Sequence, residues 1–280
     1  MTQEFQIAVA EGAHASQNSC VTAARIIGLE FDIFGEPASF DITAGPGRMT
    51  LAGIVPVARA ICEKMTGLAT EKIRQQGGHI ACRPGCCACC HYLVPLSVPE
   101  AFRLMQEVLS LPESRQKLVQ RVWLLTARRI LRRKPPHEVL NQPLDHSAKA
   151  ASELNAISNW YRSLKQPCPF LREGLCTIYE IRPLACREYF VEGSYRACRG
   201  GHGSGQVVEL PVRTTEVLGR LAAHLEGAAA EAVMLPLVSV WHQANRPRAE
   251  QTWPATEMVE RFVEIVKQTA ERNLTPAAST

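Results

Sequence analysis

The stretch that decides the fold is Cys82-Arg83-Pro84-Gly85-Cys86-Cys87-Ala88-Cys89-Cys90, in which five of the nine residues are cysteines. A second and more widely spaced group begins after 77 intervening residues and consists of Cys168, Cys176, Cys186 and Cys198. Of the 11 cysteines in the chain, only Cys20 and Cys62 lie outside these two groups. In a reducing compartment such crowding does not indicate a disulfide framework, so it points to metal or redox chemistry.

The composition is that of a soluble globular protein. The chain has 280 residues, of which 46% are apolar and 21% are charged, and this excludes fibrous and disordered classes. The longest apolar run, residues 232–241, is interrupted by Pro236 and is too short to span a bilayer. The first residues also lack the basic segment of a signal peptide. We therefore expect a cytoplasmic protein with no membrane partner.

The formal net charge of +4 does not predict a nucleic-acid partner. A metal ligand must be the deprotonated thiolate, so a Zn²⁺ ion or a [4Fe–4S]²⁺ cluster held by four cysteines carries a net charge of about −2. Two such sites would neutralise the basic excess. The positive charge is thus explained by local compensation of thiolates.

Hydrophobic periodicity predicts a mainly α fold, with irregular cysteine-rich metal-binding loops held between helices and a helical-hairpin insertion. Residues 1–48 indicate only short, poorly defined elements, and residues 207–212 indicate a short strand. Ser97 and Glu100 have the spacing of a capping box, which places a helix start at that point. The apolar stripes that predict helices are Ala58, Ile61, Met65 and Leu68; Phe102, Met105 and Leu109; Leu118, Val122 and Leu125; Leu154, Ile157, Tyr161 and Leu164; Val217, Leu221 and Leu225; and Val259, Phe262, Val263 and Val266.

These elements divide the chain into three parts. Residues 1–78 form an N-terminal accessory region and residues 201–280 form a C-terminal helical region. Between them, residues 79–200 form the cysteine-cluster domain, with the helical insertion at about 98–165. Since a free cysteine behaves as a small apolar residue, Cys62 and Cys20 are interpreted as core residues and not as ligands.

The spacing of the thiols narrows the choice of metal. Cys82, Cys86 and Cys89 are spaced C-x₃-C-x₂-C around Pro84-Gly85, and tight loops of this kind wrap iron–sulfur clusters. An all-thiolate donor set selects soft centres, namely zinc, Cu(I) or iron–sulfur. The second group has gaps of 7, 9 and 11 residues, unlike the paired knuckles of structural zinc sites, so iron–sulfur is favoured.

Two further features of this region bear on its chemistry. The C-x₃-C-x₂-C spacing also occurs in radical enzymes that bind S-adenosylmethionine, but their βα-barrel pattern is missing from the helical flanks here. Arginines lie among the thiols and are candidate hydrogen-bond donors to sulfur; they are Arg83, Arg182, Arg187, Arg196 and Arg199.

The two groups together resemble the YkgJ-type cysteine-cluster family of zinc- or iron-chelating proteins, a broad family that includes a flagellin lysine N-methylase. The resemblance covers about residues 79–200, and Cys87 and the long insertion depart from the usual pattern. It implies a metal cofactor, either an iron–sulfur cluster of the 4Fe-4S type or zinc. The ligands that it implies are Cys82, Cys86, Cys89, Cys90, Cys168, Cys176, Cys186 and Cys198.

Three functions remain open at this stage. The first is a metal-binding protein with a redox, sensing or metal-handling role. The second is a cluster-dependent protein-modifying enzyme, such as a lysine N-methyltransferase, for which S-adenosylmethionine would be a cosubstrate and a protein the substrate. The third is a structural zinc protein. No catalytic set of side chains is legible in the sequence.

Overall fold

A computed structural model describes residues 3–8, 24–133, 142–143, 148–199 and 205–274. Within these ranges the protein is mainly helical, as predicted. The helices are α1 (Val55–Gln75), α2 (Val98–Leu109), α3 (Glu113–Leu131), α4 (Ala148–Ser163), α5 (Leu184–Glu188), α6 (Thr214–Glu226), α7 (Val238–Ala244), α8 (Arg246–Ala249) and α9 (Ala255–Leu274). None of these helices is long and apolar enough to cross a membrane.

Residues 1–48 were expected to form poorly defined elements, and for the described part this is wrong. Strands β1 (Gln3–Ala8), β2 (Arg25–Ile33) and β3 (Glu36–Ala44) form a sheet in the order β1-β3-β2, with β1 parallel and β2 antiparallel to β3. The hairpin closes at Phe34 and Gly35, which both have positive φ, and such two-residue turns suit the twist of the strands. Alternate residues of β3, from Ala38 to Ala44, are buried.

The remaining strands are short pairs that tie distant segments together. They are β4 (Arg48–Thr50) with β12 (Thr252–Pro254); β5 (Pro95–Ser97) and β6 (Gln142–Pro143) on either side of β11 (Glu231–Met234); β7 (Leu171–Arg172) with β8 (Leu175–Cys176); and β9 (Val191–Gly193) with β10 (Gly205–Val207). A strand was expected over residues 207–212. The observed strand β10 begins earlier, at Gly205, and ends at Val207, so the two overlap at one residue.

The main core lies between the sheet and helices α1, α6 and α9. The predicted stripes on these helices are confirmed, because Ile61, Val217 and Phe262 are fully buried in one apolar cluster with the inner face of the sheet. Cys62 is buried in the same cluster and packs as an apolar residue, as predicted. Cys20 lies outside the described residues.

Helix α2 begins directly after Ser97, as its capping box predicts, and the Ser97 amide donates to Glu100 Oε2 at 3.2 Å. Phe102 and Met105 are buried, but Leu109 at the end of the helix is exposed. In α4, Ile157 and Tyr161 are buried as predicted, and Leu164 packs beside them. The side chain of Leu154 lies outside the described part.

Helix α3 exists as predicted, but it buries a different face. Leu118, Val122 and Leu125 are 45%, 37% and 44% exposed, respectively. The buried face lies one position further along the chain and is centred on Trp123, whose indole N–H donates to the Leu235 carbonyl at 2.8 Å. Trp123 also meets the ring of Phe170 nearly edge-on, at 5.0 Å between centroids. Two apolar stripes run along this helix, and the stripe that contains the large Trp123 side chain is the buried one.

Candidate metal centre

The first cysteine group forms a chain of tight turns. The Cys86 amide donates to the Arg83 carbonyl at 3.0 Å, and the Cys90 amide donates to the Cys87 carbonyl at 3.1 Å. Gly85 has a φ of +87°, a conformation that glycine adopts without strain. Just before the loop, the Ala81 amide donates to the Val191 carbonyl of β9 at 2.8 Å. The turns thus gather several thiols within a few residues and fix them beside β9.

The second group is brought to the first by a backbone hydrogen bond. The Cys168 amide donates to the Cys90 carbonyl at 2.7 Å, although 77 residues separate the two positions. Cys176 ends β8, and Cys186 lies in α5. Cys198 lies in a short 3₁₀ turn, where its carbonyl accepts a hydrogen bond from the Tyr92 hydroxyl. Each member of the second group is therefore placed by a different local element.

All eight cysteines implied by the resemblance line one cavity of about 990 Å³. Its wall contains Cys82, Cys86, Cys89, Cys90, Cys168, Cys176, Cys186 and Cys198. Cys87 is not among the lining residues, although it lies within the first group. None of the described cysteines is in a disulfide. The structure therefore collects the predicted thiols and separates them from Cys87 and from the buried Cys62.

Several thiols of this cavity have a raised pKa. Burial raises the pKa of Cys168 to about 12 and that of Cys198 to about 11. Burial also raises the pKa of Cys82, Cys176 and Cys186. The exception is Cys89, where a hydrogen bond with Cys90 lowers the pKa to about 7. Because a metal binds the thiolate, binding here must release protons.

Arg182 is a cation that influences the pKa of several of these thiols. Burial is the larger influence on the pKa of Cys82 and Cys176, which stays raised, and Arg182 opposes it. At Cys89, Arg182 adds to the lowering of the pKa by the hydrogen bond with Cys90. Its guanidinium carbon lies 3.8 Å from the centroid of the Tyr179 ring, which fixes its orientation. Arg83 and Arg187 also line the cavity, whereas Arg196 does not. The side chain of Arg199 lies outside the described part.

Two buried carboxylates lie behind the thiols, and no sequence pattern predicted their burial at the site. Glu100 was predicted only as a helix cap, yet its Oε1 accepts the Leu184 amide at 2.8 Å and its Oε2 accepts the Thr215 hydroxyl at 2.6 Å. Glu188 lines the cavity, and its Oε1 accepts both the amide and the hydroxyl of Thr214 at 2.5 Å. Its Oε2 is buried with no hydrogen-bond partner among the described residues. Burial raises the pKa of Glu188 to about 7.

The chemistry of the donor set fits zinc or an iron–sulfur cluster, since eight thiols face one cavity and soft metals bind thiolates. Within the described residues, no three Cys, His, Asp or Glu side chains are already gathered closely enough to hold a metal ion. Protonated thiols attract one another only weakly, as in the hydrogen bond between Cys89 and Cys90. Metal binding would therefore require side-chain closure as well as loss of protons.

These features define a cysteine-rich metal-binding domain. The family comparison agrees, because residues 81–199 match the CxxCxxCC family model, described as "Putative zinc- or iron-chelating domain". This match confirms the resemblance drawn from the cysteine spacing. The family's name has two residues between its first two cysteines, whereas this chain has three, with Gly85 at the added turn. No curated protein and no solved structure matches the chain.

Proposed function

We propose that this protein binds metal through the eight cysteines of the cavity, as an iron–sulfur cluster in preference to zinc. The observation that carries the proposal is the convergence of eight thiols from five segments of chain on one cavity of about 990 Å³. Such a cavity is far larger than one tetrahedral ion needs. The absence of carboxylates from the predicted ligand set further favours a soft centre.

The surrounding residues would support such a centre in distinct ways. Arg182 offsets the negative charge that accumulates when the thiols ionise. The hydrogen bond between Cys89 and Cys90 favours one thiolate on this pair, so metal binding would begin there. When bound, an iron–sulfur cluster accepts and donates single electrons. A redox, sensing or metal-handling role in a reducing cytoplasm follows from that chemistry.

The test is metal analysis of protein purified without oxygen. We expect iron with acid-labile sulfide and broad absorption at about 400 nm, whereas zinc would leave that region transparent. Cys176→Ser should lower the metal content, and Cys62→Ser, which changes a thiol in the main core outside the cavity, serves as the control. Wild-type protein with neither iron nor zinc would refute the proposal. Zinc without sulfide would refute its iron–sulfur part.

A further inference from the structure

The eight thiols do not share one environment. Cys198 is buried with Ala88 and Val191 in a small apolar cluster, and Cys86 packs against the same cluster. Cys168 and Cys176 pack against a different cluster, which contains Phe170 and Trp123. The first environment adjoins β9, and the second lies over α2 and α3. The cavity thus has two walls. The first wall, beside β9, carries Cys86 and Cys198. The second wall, over α2 and α3, carries Cys168 and Cys176.

Backbone and side-chain contacts place two further thiols on these walls. Cys82 follows Ala81, whose amide donates to the Val191 carbonyl of β9 at 2.8 Å, so Cys82 belongs to the first wall. Cys186 lies on α5, and the Leu184 amide of α5 donates to Glu100 Oε1 on α2 at 2.8 Å. Because α2 contributes to the cluster that packs against Cys168 and Cys176, Cys186 belongs to the second wall.

Cys89 and Cys90 lie where the two walls meet. The Cys168 amide donates to the Cys90 carbonyl at 2.7 Å, which ties Cys90 to the second wall. Cys89 is then left for the first wall, which already carries Cys82, Cys86 and Cys198. Consecutive residues project in different directions, so the pair can serve two centres more readily than one.

We propose that the cavity holds two metal centres with four cysteine ligands each. Cys82, Cys86, Cys89 and Cys198 would bind the first centre, and Cys90, Cys168, Cys176 and Cys186 would bind the second. This inference rests on the proposed function and adds the number of centres and the ligands of each. Four thiolates complete either a structural zinc site or a [4Fe–4S] cluster.

The division makes each centre depend on both cysteine groups. The first centre takes three ligands from the loop of residues 82–90 and one from Cys198. The second takes one ligand from that loop and three from Cys168 onward. Arg182 lines the same cavity as the ligands of both centres. Two centres of charge about −2 would offset the formal net charge of +4.

The test compares metal content per chain in single and double variants purified without oxygen. Cys198→Ser and Cys176→Ser should each retain half of the wild-type metal, and the double variant should retain none. Cys82→Ser combined with Cys198→Ser should still retain half, because both ligands belong to one centre. Cys87→Ser is the matched control and should retain all of the metal. Since this pattern compares variants with one another, general misfolding would not reproduce it.

Two results would overturn the inference, and each is distinct from failure of the proposed function. If Cys198→Ser and Cys176→Ser each lost all of the metal, the eight thiols would form one shared centre. If the Cys82 and Cys198 double variant lost more than half, the assignment of ligands to centres would be wrong. In both cases the wild-type protein still binds metal, whereas metal-free wild-type protein would refute the proposed function itself.

Discussion

Glu100 offers the sharpest test of how the site is held in place. Its carboxylate is 2% exposed and accepts hydrogen bonds from the Ser97 amide and hydroxyl, the Leu184 amide and the Thr215 hydroxyl. The acceptor therefore joins the starts of α2, α5 and α6, and α5 carries Cys186. A hydrogen bond to a charged group contributes about 1.5–3 kcal/mol, and an unsatisfied buried donor adds a further cost.

We expect Glu100→Ala to lower the free energy of unfolding by about 4 kcal/mol, because it leaves several buried donors without an acceptor. Glu100→Gln keeps the shape but presents an amide N–H₂ to one of the donors, so its cost should be about 2 kcal/mol. Urea denaturation followed by tryptophan fluorescence measures both values. Glu250→Gln changes an exposed carboxylate and should have no effect beyond about 0.5 kcal/mol. A Glu100→Gln protein as stable as wild type would refute the reasoning.

Three other outcomes are expected. Removal of metal by a chelator should lower the melting temperature, since metal-binding free energy becomes folding free energy in a loop-rich segment; an unchanged melting temperature in demonstrably metal-free protein would contradict this. Metal analysis of Cys86→Ser should show a loss that Cys62→Ser does not show, and equal losses would overturn the ligand assignment. Trp123→Ala should cost about 3–5 kcal/mol of stability in urea denaturation. Leu118→Ser on the exposed face of the same helix should cost less than about 0.5 kcal/mol, and the reverse order would mean that α3 buries the originally predicted stripe.

The longer helices were predictable because most of them carry a single apolar stripe, whereas the short helices α5, α7 and α8 were not predicted. Helices α1 and α9 each have only one apolar stripe, so the spacing predicted both the helix and the face that is buried. Helix α3 has two overlapping stripes, and counting apolar residues could not rank them. Trp123 decides the outcome through its volume and its indole hydrogen bond to Leu235, and that bond depends on a partner 112 residues away.

The sheet of residues 3–44 was missed for a different reason. Alternate positions are apolar in both strands of its hairpin, and they are Ile27, Leu29, Phe31 and Ile33 in β2 and Ala38, Phe40, Ile42 and Ala44 in β3. This period of two is a strand signal, but a search for helical stripes passes over it. The turn at Phe34 and Gly35 separates these two alternating runs, so the hairpin could have been predicted. The parallel pairing of β1 with β3 is non-local and leaves no trace in local spacing.

The candidate ligands could be proposed from the sequence because cysteine is rare and its clustering is conspicuous. Their distribution over two walls of a cavity could not be predicted, because it depends on β9, on α5 and on the backbone hydrogen bond from the Cys168 amide to the Cys90 carbonyl. The buried Glu188 was equally hidden, because nothing in its neighbours distinguishes a buried carboxylate from a surface one. Its single accepting oxygen becomes visible only when Thr214 is placed beside it.

The hydrogen bond between Cys168 and Cys90 has a consequence for how the protein is made. A ribosome adds about 5–20 residues per second, so about 4–15 s pass between synthesis of Cys90 and arrival of Cys168. During that interval the nascent chain contains five cysteines within nine residues, and the cysteines of the second group have not yet been synthesised. Either delivered metal or a reducing environment must protect them until the second group emerges. Slow translation, or oxidant present during synthesis, would then damage this protein before it ever folds.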